Sequence, residues 1–434
     1  MTPAELAPAF FLAAVVILVA CRLVALAVGR FGQPPVVGEM ITGVLLGPSL
    51  FGLLAPGVSA HVFPPDLKPV LYVAGQIGLV ALMFQAGYAF RTHAAQAGRG
   101  LAGTTAAVSA AGVLAPLLLG AALVLAVHGR SGIFTGADDV SVWVIAAFVG
   151  VALAVTAFPM LARIITERGL AGSRHGSLAM ASGATDDAVA WILLAGVVSL
   201  ASGQARPVLT AVGGSALFLL LLFTLGRRLL AWAATRPGLG DETRLLVTVG
   251  VLFSAAWFTD VIELYAVFGA FCTGLAMPRA PASERMVRAT QPMTQTVFVP
   301  MFFVYSGLNT DFGVFADPGT LAFGAAAVVL AVLGKFGGCW AAARLRGEPA
   351  GVALRIGALM NARGLMQLIA LNIGLEAGIV GRELFTALVL VALVTTVMTV
   401  PMLNRLDRRD ARSRPPAPGD APPREAGPAA AVIT

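Results

Sequence analysis

The chain has 434 residues and a formal net charge of +7, and 58% of its residues are hydrophobic while only 12% are charged. This composition is too apolar for a set of water-soluble domains, so it predicts an all-α polytopic membrane protein. The positive charge comes mainly from arginines at the ends of apolar segments, which indicates membrane topology and argues against nucleic-acid binding. The three cysteines show no metal-ligand or paired spacing, so we expect neither a disulfide framework nor a cofactor.

Thirteen apolar segments of about 20 residues, each bounded by glycine, proline or charge, predict thirteen transmembrane helices. Their approximate bounds are 8–29, 35–54, 69–90, 101–127, 142–164, 177–201, 207–232, 244–259, 262–278, 291–308, 319–343, 352–375 and 383–404. The first positive residue is Arg22, so the first apolar run lacks the basic start of a signal peptide. We expect this run to remain as the first helix.

The lysines and arginines predict the orientation of the chain. If the N-terminus is outside, 22 basic residues fall in inner loops and the C-terminal tail, and four fall in outer loops. The positive-inside rule therefore places the C-terminus in the cytoplasm. We expect residues 1–405 to form the transmembrane domain, in the plasma membrane. Residues 406–434 are rich in proline, alanine and arginine, and we expect them to form a disordered cytoplasmic tail.

Three short motifs recur in the same order seven spans apart. The matched segments are 38–48 with 269–278, 83–88 with 302–308, and 158–163 with 359–363. An odd offset means that the second copy enters the membrane from the opposite side, as in secondary transporters. We therefore predict two inverted repeats, at approximately 35–201 and 262–404.

Two adjacent acids, Asp186 and Asp187, lie inside an apolar segment from 178 to 200. Each acidic group in a membrane costs roughly 2.5 to 3.5 kcal/mol, so the pair must be compensated. Consecutive helix residues point about 100° apart, so one carboxylate can meet a fixed partner while the other faces a water-filled cavity. The alternative is a helix end in the headgroup region, which the apolar residues on both sides of the pair disfavour.

Three other charged residues in the predicted spans bear on this pair. Lys335 is the natural partner for one of the two aspartates, although it could instead reach the inner face, since Arg344 follows nine residues later. Arg363 is expected either to clamp an interrupted helix or to pair with Glu39. The sequence does not decide between these two roles.

Two spans in matching repeat positions carry signals of an interruption. Pro159 has no N–H for the carbonyl four residues earlier, so the fifth span is predicted to open near Thr156. In the twelfth span, Asn361, Arg363 and Gly364 stand at mid-depth. Broken helices that cross near the midplane would place helix ends and free carbonyls in a cation site. The alternative is a simple proline kink.

Several motifs together resemble a known transporter family. They are residues 35–49, 155–167, the Asp186–Asp187 pair, 300–308 and 361–366. These segments are similar to the monovalent cation:proton antiporter-2 family, and the resemblance covers residues 8–405. It implies a sodium/proton antiporter fold with thirteen helices, usually a homodimer, in which a core domain with crossed broken helices moves against a dimerisation domain.

The resemblance also implies roles for individual residues. Asp187 looks like the ion-binding carboxylate, Asp186 like the partner of the Lys335 ammonium, and Thr156 like a polar lining residue. Tyr88 and Gln367 depart from the family pattern, because both positions are near or at sites where the family usually has an acid. Both departures remove a negative charge and bear on ion preference, and the sequence does not choose among sodium, potassium and lithium.

These observations predict a secondary active transporter that exchanges a monovalent cation, Na⁺ or K⁺, for protons by alternating access. Asp187, with Asp186 and backbone oxygens, is expected to bind either the cation or a proton. The alternative is a channel-like potassium efflux protein. We do not expect an enzyme, because the one match to a membrane-protease motif, at residues 238–241, lies in an arginine-rich loop without a partner segment.

Overall fold

The computed structural model describes residues 2–94, 101–129, 132–134, 140–170, 172–201, 205–262 and 265–413. Within these ranges the regular structure is helical and there is no β-strand. The first ten α-helices are α1 (Pro3–Gly29), α2 (Pro35–Leu46), α3 (Phe51–Leu54), α4 (Pro56–Val62), α5 (Lys68–Ala94), α6 (Ala102–Val127), α7 (Val142–Ala154), α8 (Phe158–Glu167), α9 (Arg174–Ala201) and α10 (Ala205–Leu221).

Ten more α-helices follow in the described part of the chain. They are α11 (Arg227–Thr235), α12 (Asp241–Val261), α13 (Ala266–Ala276), α14 (Pro281–Met293), α15 (Val299–Leu308), α16 (Pro318–Val332), α17 (Gly338–Leu345), α18 (Ala350–Met360), α19 (Leu365–Glu376) and α20 (Arg382–Ser413). Three π-helical turns, Leu222–Gly226, Thr294–Phe298 and Leu333–Gly337, join α10 to α11, α14 to α15 and α16 to α17. Each of these joined pairs is therefore one continuous helical segment.

Proline marks the start of several helices. Pro35, Pro56, Pro281 and Pro318 each occupy the first position of a helix, where the missing N–H costs nothing and the fixed backbone angle suits the helix. The residue before α16 adds a side-chain cap, since the Asp317 carboxylate accepts a 2.7 Å hydrogen bond from the backbone N–H three residues later.

Nine helices in the described part of the chain are long and apolar enough to cross a membrane. The predicted all-α membrane architecture is thus confirmed. The other four predicted spans coincide with shorter helices: α7 with α8, α13, the segment from α14 to α15, and α18 with α19. The count of thirteen spans depends on these interrupted and short segments and stays a prediction.

The last helix continues past the predicted end of the membrane domain. We expected a disordered tail from residue 406, but α20 runs to Ser413. Asp407 explains part of the extension, since its carboxylate pairs with Arg168 at 3.4 Å and with Arg355 at 3.0 Å. These ion pairs hold the helix against neighbouring segments. The rest of the predicted tail, residues 414–434, lies outside the described part of the chain.

Two helix crossings involve glycines from the predicted repeats. A Cβ atom on Gly307 of α15 would collide with the backbone of Gly43 in α2. In the same way, a Cβ atom on Gly274 of α13 would collide with the backbone at Gly87 in α5. Both crossings therefore require glycine, because only its small size lets the two backbones approach so closely.

The threonine before each of two matched glycines makes the same local bond. The Thr42 hydroxyl donates to the carbonyl of Gly38 at 2.7 Å, and the Thr273 hydroxyl donates to the carbonyl of Gly269 at 2.8 Å. In both cases the hydroxyl donates to a carbonyl four residues earlier on its own helix, so the buried hydroxyl is not left without a partner. The crossing of α2 with α15 thus corresponds to the crossing of α13 with α5.

Candidate ion-binding site

The first interruption separates α7 from α8. Helix α7 ends at Ala154, residues 155–157 are not helical, and α8 begins at Phe158. Thr156 lies in this gap and is fully buried. Pro159 is the second residue of α8, where a missing backbone N–H is tolerated; its side chain lies outside the described structure.

The second interruption separates α18 from α19. Helix α18 ends at Met360 and α19 begins after Gly364, which adopts a φ of +124°. That backbone conformation is readily adopted only by glycine. The Asn361 and Arg363 side chains lie in this gap and are both fully buried.

The two interruptions meet. The backbone N–H of Ala157 in the first gap donates to the carbonyl of Ala362 in the second at 3.3 Å. The Arg363 guanidinium donates to the carbonyl of Ala152 near the end of α7 at 3.5 Å, and to that of Ala331 in α16 at 3.2 Å. Of the two roles open from the sequence, these bonds match the clamp, because Arg363 holds carbonyl groups beside the first interruption.

Asp186 and Lys335 form a fully buried ion pair. Oδ2 of Asp186 lies 2.8 Å from Nζ of Lys335, and neither side chain is exposed. The ammonium also donates to the carbonyl of Gly112 at 2.8 Å and to that of Ala154 at 2.6 Å. All three N–H donors of Lys335 are thus used, which is what a buried ammonium requires.

The two carbonyls that Lys335 uses are free because of the helices that carry them. In an α-helix the Gly112 carbonyl would accept from residue 116, but that residue is Pro116, which has no N–H. Ala154 is the last residue of α7, so its carbonyl has no continuing helix to bond. Lys335 therefore satisfies two backbone acceptors that the local sequence leaves open.

Two hydroxyls surround the Asp186 carboxylate. The Thr156 hydroxyl donates to Oδ2 at 3.2 Å, and the Ser109 side chain of α6 also hydrogen-bonds this carboxylate. Gly112 leaves room for the pair, because a Cβ atom there would lie only 2.9 Å from Oδ2 of Asp186 and from Sγ of Cys339. The carboxylate is thus held on one side by a dense set of donors.

Asp187 has a different environment. Its side chain is 1% exposed, and neither carboxylate oxygen has a hydrogen-bond partner among the described residues. We expected this carboxylate to face a water-filled cavity, but here the protein encloses it. The charges of Asp186 and Lys335 both act on it. A buried carboxylate without a partner is costly, and a bound proton or cation would remove that cost.

A second buried polar group near the breaks is also unpaired. Both the oxygen and the nitrogen of the Asn361 side-chain amide lack a hydrogen-bond partner in the described structure. Gln367, one of the two departures from the family pattern, is fully buried and donates to the carbonyl of Leu388 at 3.3 Å. Tyr88 lies on α5 beside the glycine crossing with α13.

The sequence analysis did not single out α6. This helix supplies Gly112 and Ser109 to the ion pair, and its only sequence signal is Pro116, which frees a carbonyl one turn earlier. A proline inside an apolar span can be such a signal when a lysine in another span needs acceptors.

Comparison with known proteins identifies the family. Residues 13–405 match the family described as "Sodium/hydrogen exchanger, transmembrane". The chain belongs to the sodium/hydrogen exchanger family. The relationship to cation:proton antiporters predicted from the motifs is thereby confirmed.

Three relatives show how this exchanger-family chain compares with named proteins. The Na⁺/H⁺ antiporter NhaS4 of Synechocystis sp. is 34% identical over 391 residues, which cover 88% of this chain and 93% of that protein. The Na⁺/H⁺-K⁺ antiporter GerN of Bacillus cereus is 27% identical and is covered to 93%. The K⁺/H⁺ antiporter 1 of Saccharomyces cerevisiae is 31% identical, but the chain spans only 45% of its length.

A solved structure supports the fold. The sodium proton antiporter MjNhaP1 from Methanocaldococcus jannaschii superposes with a TM-score of 0.62, covering 93% of this exchanger-family chain and 98% of that chain. The sequence identity is 14%, so the likeness concerns the fold alone. The predicted sodium/proton antiporter fold is confirmed.

Proposed function

We propose that this chain exchanges a monovalent cation, Na⁺ or K⁺, for protons across a membrane. One observation carries the proposal: the Asp187 carboxylate is buried without a hydrogen-bond partner, on the helix that packs against two crossed interruptions. Relatives of similar length are named Na⁺/H⁺ and Na⁺/H⁺-K⁺ antiporters, which agrees with this chemistry.

In the proposed mechanism, cation and proton compete for Asp187. Either one neutralises the carboxylate, and the neutralised site is far cheaper to carry across the membrane than the charged one. A dehydrated monovalent cation would also need further oxygen ligands, which Thr156, Asp186 and the backbone at the interruptions can supply. The site should not cross the membrane when Asp187 binds neither a cation nor a proton. This restriction couples the cation flux to the proton flux.

The Asp186–Lys335 pair would act as a fixed support beside the exchange site. Lys335 bonds to the carbonyl at the end of α7, so the pair ties the acidic helix to the first interruption. Two acids and one base share the site, so we expect net charge to move in each cycle. A membrane potential would then contribute about 2.3 kcal/mol per charge per 100 mV.

We infer that the chain works by alternating access and is built from two inverted repeats, at approximately 35–201 and 262–404. The matched glycine crossings and threonine bonds support this relation. From the arginine distribution we further propose that the N-terminus lies outside and the C-terminus in the cytoplasm, with the chain in the plasma membrane. The homodimer that we also propose rests on the family resemblance alone.

Purified protein in liposomes tests the proposal directly. An imposed Na⁺ or K⁺ gradient should drive protons the other way, as read from an internal pH dye, and an imposed pH gradient should drive cation uptake. Cation flux that proceeds at the same rate with no proton movement would contradict exchange and would indicate a channel-like potassium efflux protein.

A further inference from the structure

A small cavity lies at the far end of α19, away from the ion pair. It has a volume of about 10 Å³, which is roughly one water-sized sphere. The residues that line it and carry oxygen or amide groups are Tyr72, Gln76, Asp260, Tyr265, Tyr305, Asn372 and Glu376. The space is therefore suited in size to one small ion or one water molecule.

The cavity is connected to the interruption by a single short helix. Helix α19 begins at the second break and ends at Glu376, about 17 Å away at 1.5 Å per residue. The negative end of the α19 dipole therefore points to the cavity end. A cation in the cavity would therefore lie at the C-terminal end of α19. The N-terminal end of α19 lies where the two interruptions meet.

Asn372 lines this cavity and carries an unpaired side-chain oxygen. Its side chain is only 5% exposed, and its Nδ2 donates to Oγ of Ser306 at 3.0 Å and to the carbonyl of Leu368 at 2.8 Å. Both N–H groups are thus used, while Oδ1 has no hydrogen-bond partner among the described residues. A buried oxygen without a hydrogen-bond partner is unfavourable, and a bound cation or its water would satisfy it.

Two acids add negative charge beside this oxygen. Oε2 of Glu376 accepts a 3.2 Å hydrogen bond from the Tyr72 hydroxyl, and Glu376 interacts electrostatically with Asp260, a second acid. Like charges facing one cavity repel each other, and a cation between them turns this repulsion into attraction. Tyr265, which also lines the cavity, has a φ of +61°, which is strained for a bulky residue.

We propose that this cavity is a second cation-binding site, with Oδ1 of Asn372 and the Glu376 carboxylate as ligands and Asp260 as an additional charge. Its ligand is a monovalent cation, because the site offers few oxygen ligands and a small volume. On the proposed topology the cavity opens to the outer face. It holds a cation there before transfer along α19 to Asp187, and this role depends on the proposed exchange.

Sided transport measurements test the site. Right-side-out vesicles present the cavity face to added cation, and inside-out vesicles present the other face. Glu376→Gln and Asp260→Asn are expected to raise the cation concentration for half-maximal exchange about two- to fivefold when cation is added at the cavity face, with no change at the other face. Both acids are exposed, so the variants are expected to fold.

Two controls separate the site from other effects. Glu242→Gln removes the same charge from an exposed residue at the opposite end of the protein. It should leave the half-maximal cation concentration unchanged at both faces. Glu376→Asp keeps the charge and should recover at least half of the loss. The second site would be overturned if Glu376→Gln and Asp260→Asn changed the half-maximal cation concentration equally at both faces. It would also be overturned if neither variant changed that concentration while the parent exchanges normally. Absence of exchange in the parent would instead overturn the proposed function.

Discussion

The Nζ atom of Lys335 lies 2.8 Å from Oδ2 of Asp186 and 2.6 Å from the carbonyl oxygen of Ala154. One side chain therefore links the acidic helix α9 to the end of α7. The neighbouring acid, Asp187, shares neither of these bonds. This difference between adjacent residues separates a fixed structural charge from one that can exchange its partner.

Removal of Lys335 should destabilise the protein more than removal of the whole ion pair. Lys335→Ala leaves the Asp186 carboxylate buried without its counter-charge, which typically costs about 3–5 kcal/mol. Lys335→Ala combined with Asp186→Asn should recover much of this loss, because no unpaired charge remains. Thermal unfolding in detergent measures the difference, and a single variant as stable as the double variant would show that the pairing is wrong.

The ion pair should also be sensitive to the space at Gly112. Gly112→Ala places a Cβ atom 2.9 Å from Oδ2 of Asp186 and from Sγ of Cys339, and should cost about 1–3 kcal/mol through overpacking. Gly337 lies in the same π turn as Lys335, and a Cβ atom there meets no atom within 4 Å, so Gly337→Ala serves as the matched control. Equal thermal stability of the two variants would argue against tight packing around the pair.

The two glycine crossings should respond alike if the halves of the protein are related. Gly43→Ala and Gly274→Ala each push a Cβ atom into a backbone carbonyl of the facing helix, and each should lower stability by about 1–3 kcal/mol. Gly250→Ala on α12, with no neighbour within 4 Å, should be tolerated. A large loss of thermal stability from one of the two substitutions, with none from the other, would contradict the correspondence between the two crossings.

The orientation can be read with reporters. The split of 22 to four basic residues predicts that a reporter fused after Thr434 is cytoplasmic and that one inserted at Gly129 is outside. Activity of a compartment-specific reporter, such as a periplasmic phosphatase paired with a cytoplasmic fluorescent protein, measures each position. If both positions report the same side, the thirteen-span topology fails.

Much of the site could be predicted because intramembrane charge is so costly. Asp186, Asp187 and Lys335 stand out in apolar segments for that reason alone. Asn361, Arg363 and Gly364 mark a break, because an amide, a guanidinium and a glycine stand together at mid-depth of a predicted span. The family resemblance then implied which acid has which role. The glycines at the two close crossings could also be located from the sequence, since they recur in order in the two predicted repeats.

Other features could not be predicted because they arise from tertiary contacts. The Gly112 and Ala154 carbonyls are backbone groups, and nothing in their side chains indicates that Lys335 binds them. The enclosure of Asp187 depends on how the neighbouring helices pack against α9. The extension of α20 to Ser413 depends on Asp407 meeting two arginines from distant segments.

Exchange by the Asp187→Asn variant tests the central claim most directly. Asparagine keeps the size of the side chain but remains neutral, so it can neither bind a cation by charge nor release a proton. The variant should fold, because it removes a buried charge that has no partner in the described part of the chain. Asp186→Asn is the comparison at the neighbouring acid, and we expect it to leave weaker exchange, because it also leaves the Lys335 ammonium without its counter-charge. The measurement is Na⁺- or K⁺-driven dequenching of an internal pH dye in liposomes, below saturation of the parent. The account predicts no exchange by Asp187→Asn, and exchange at the parental rate would contradict it.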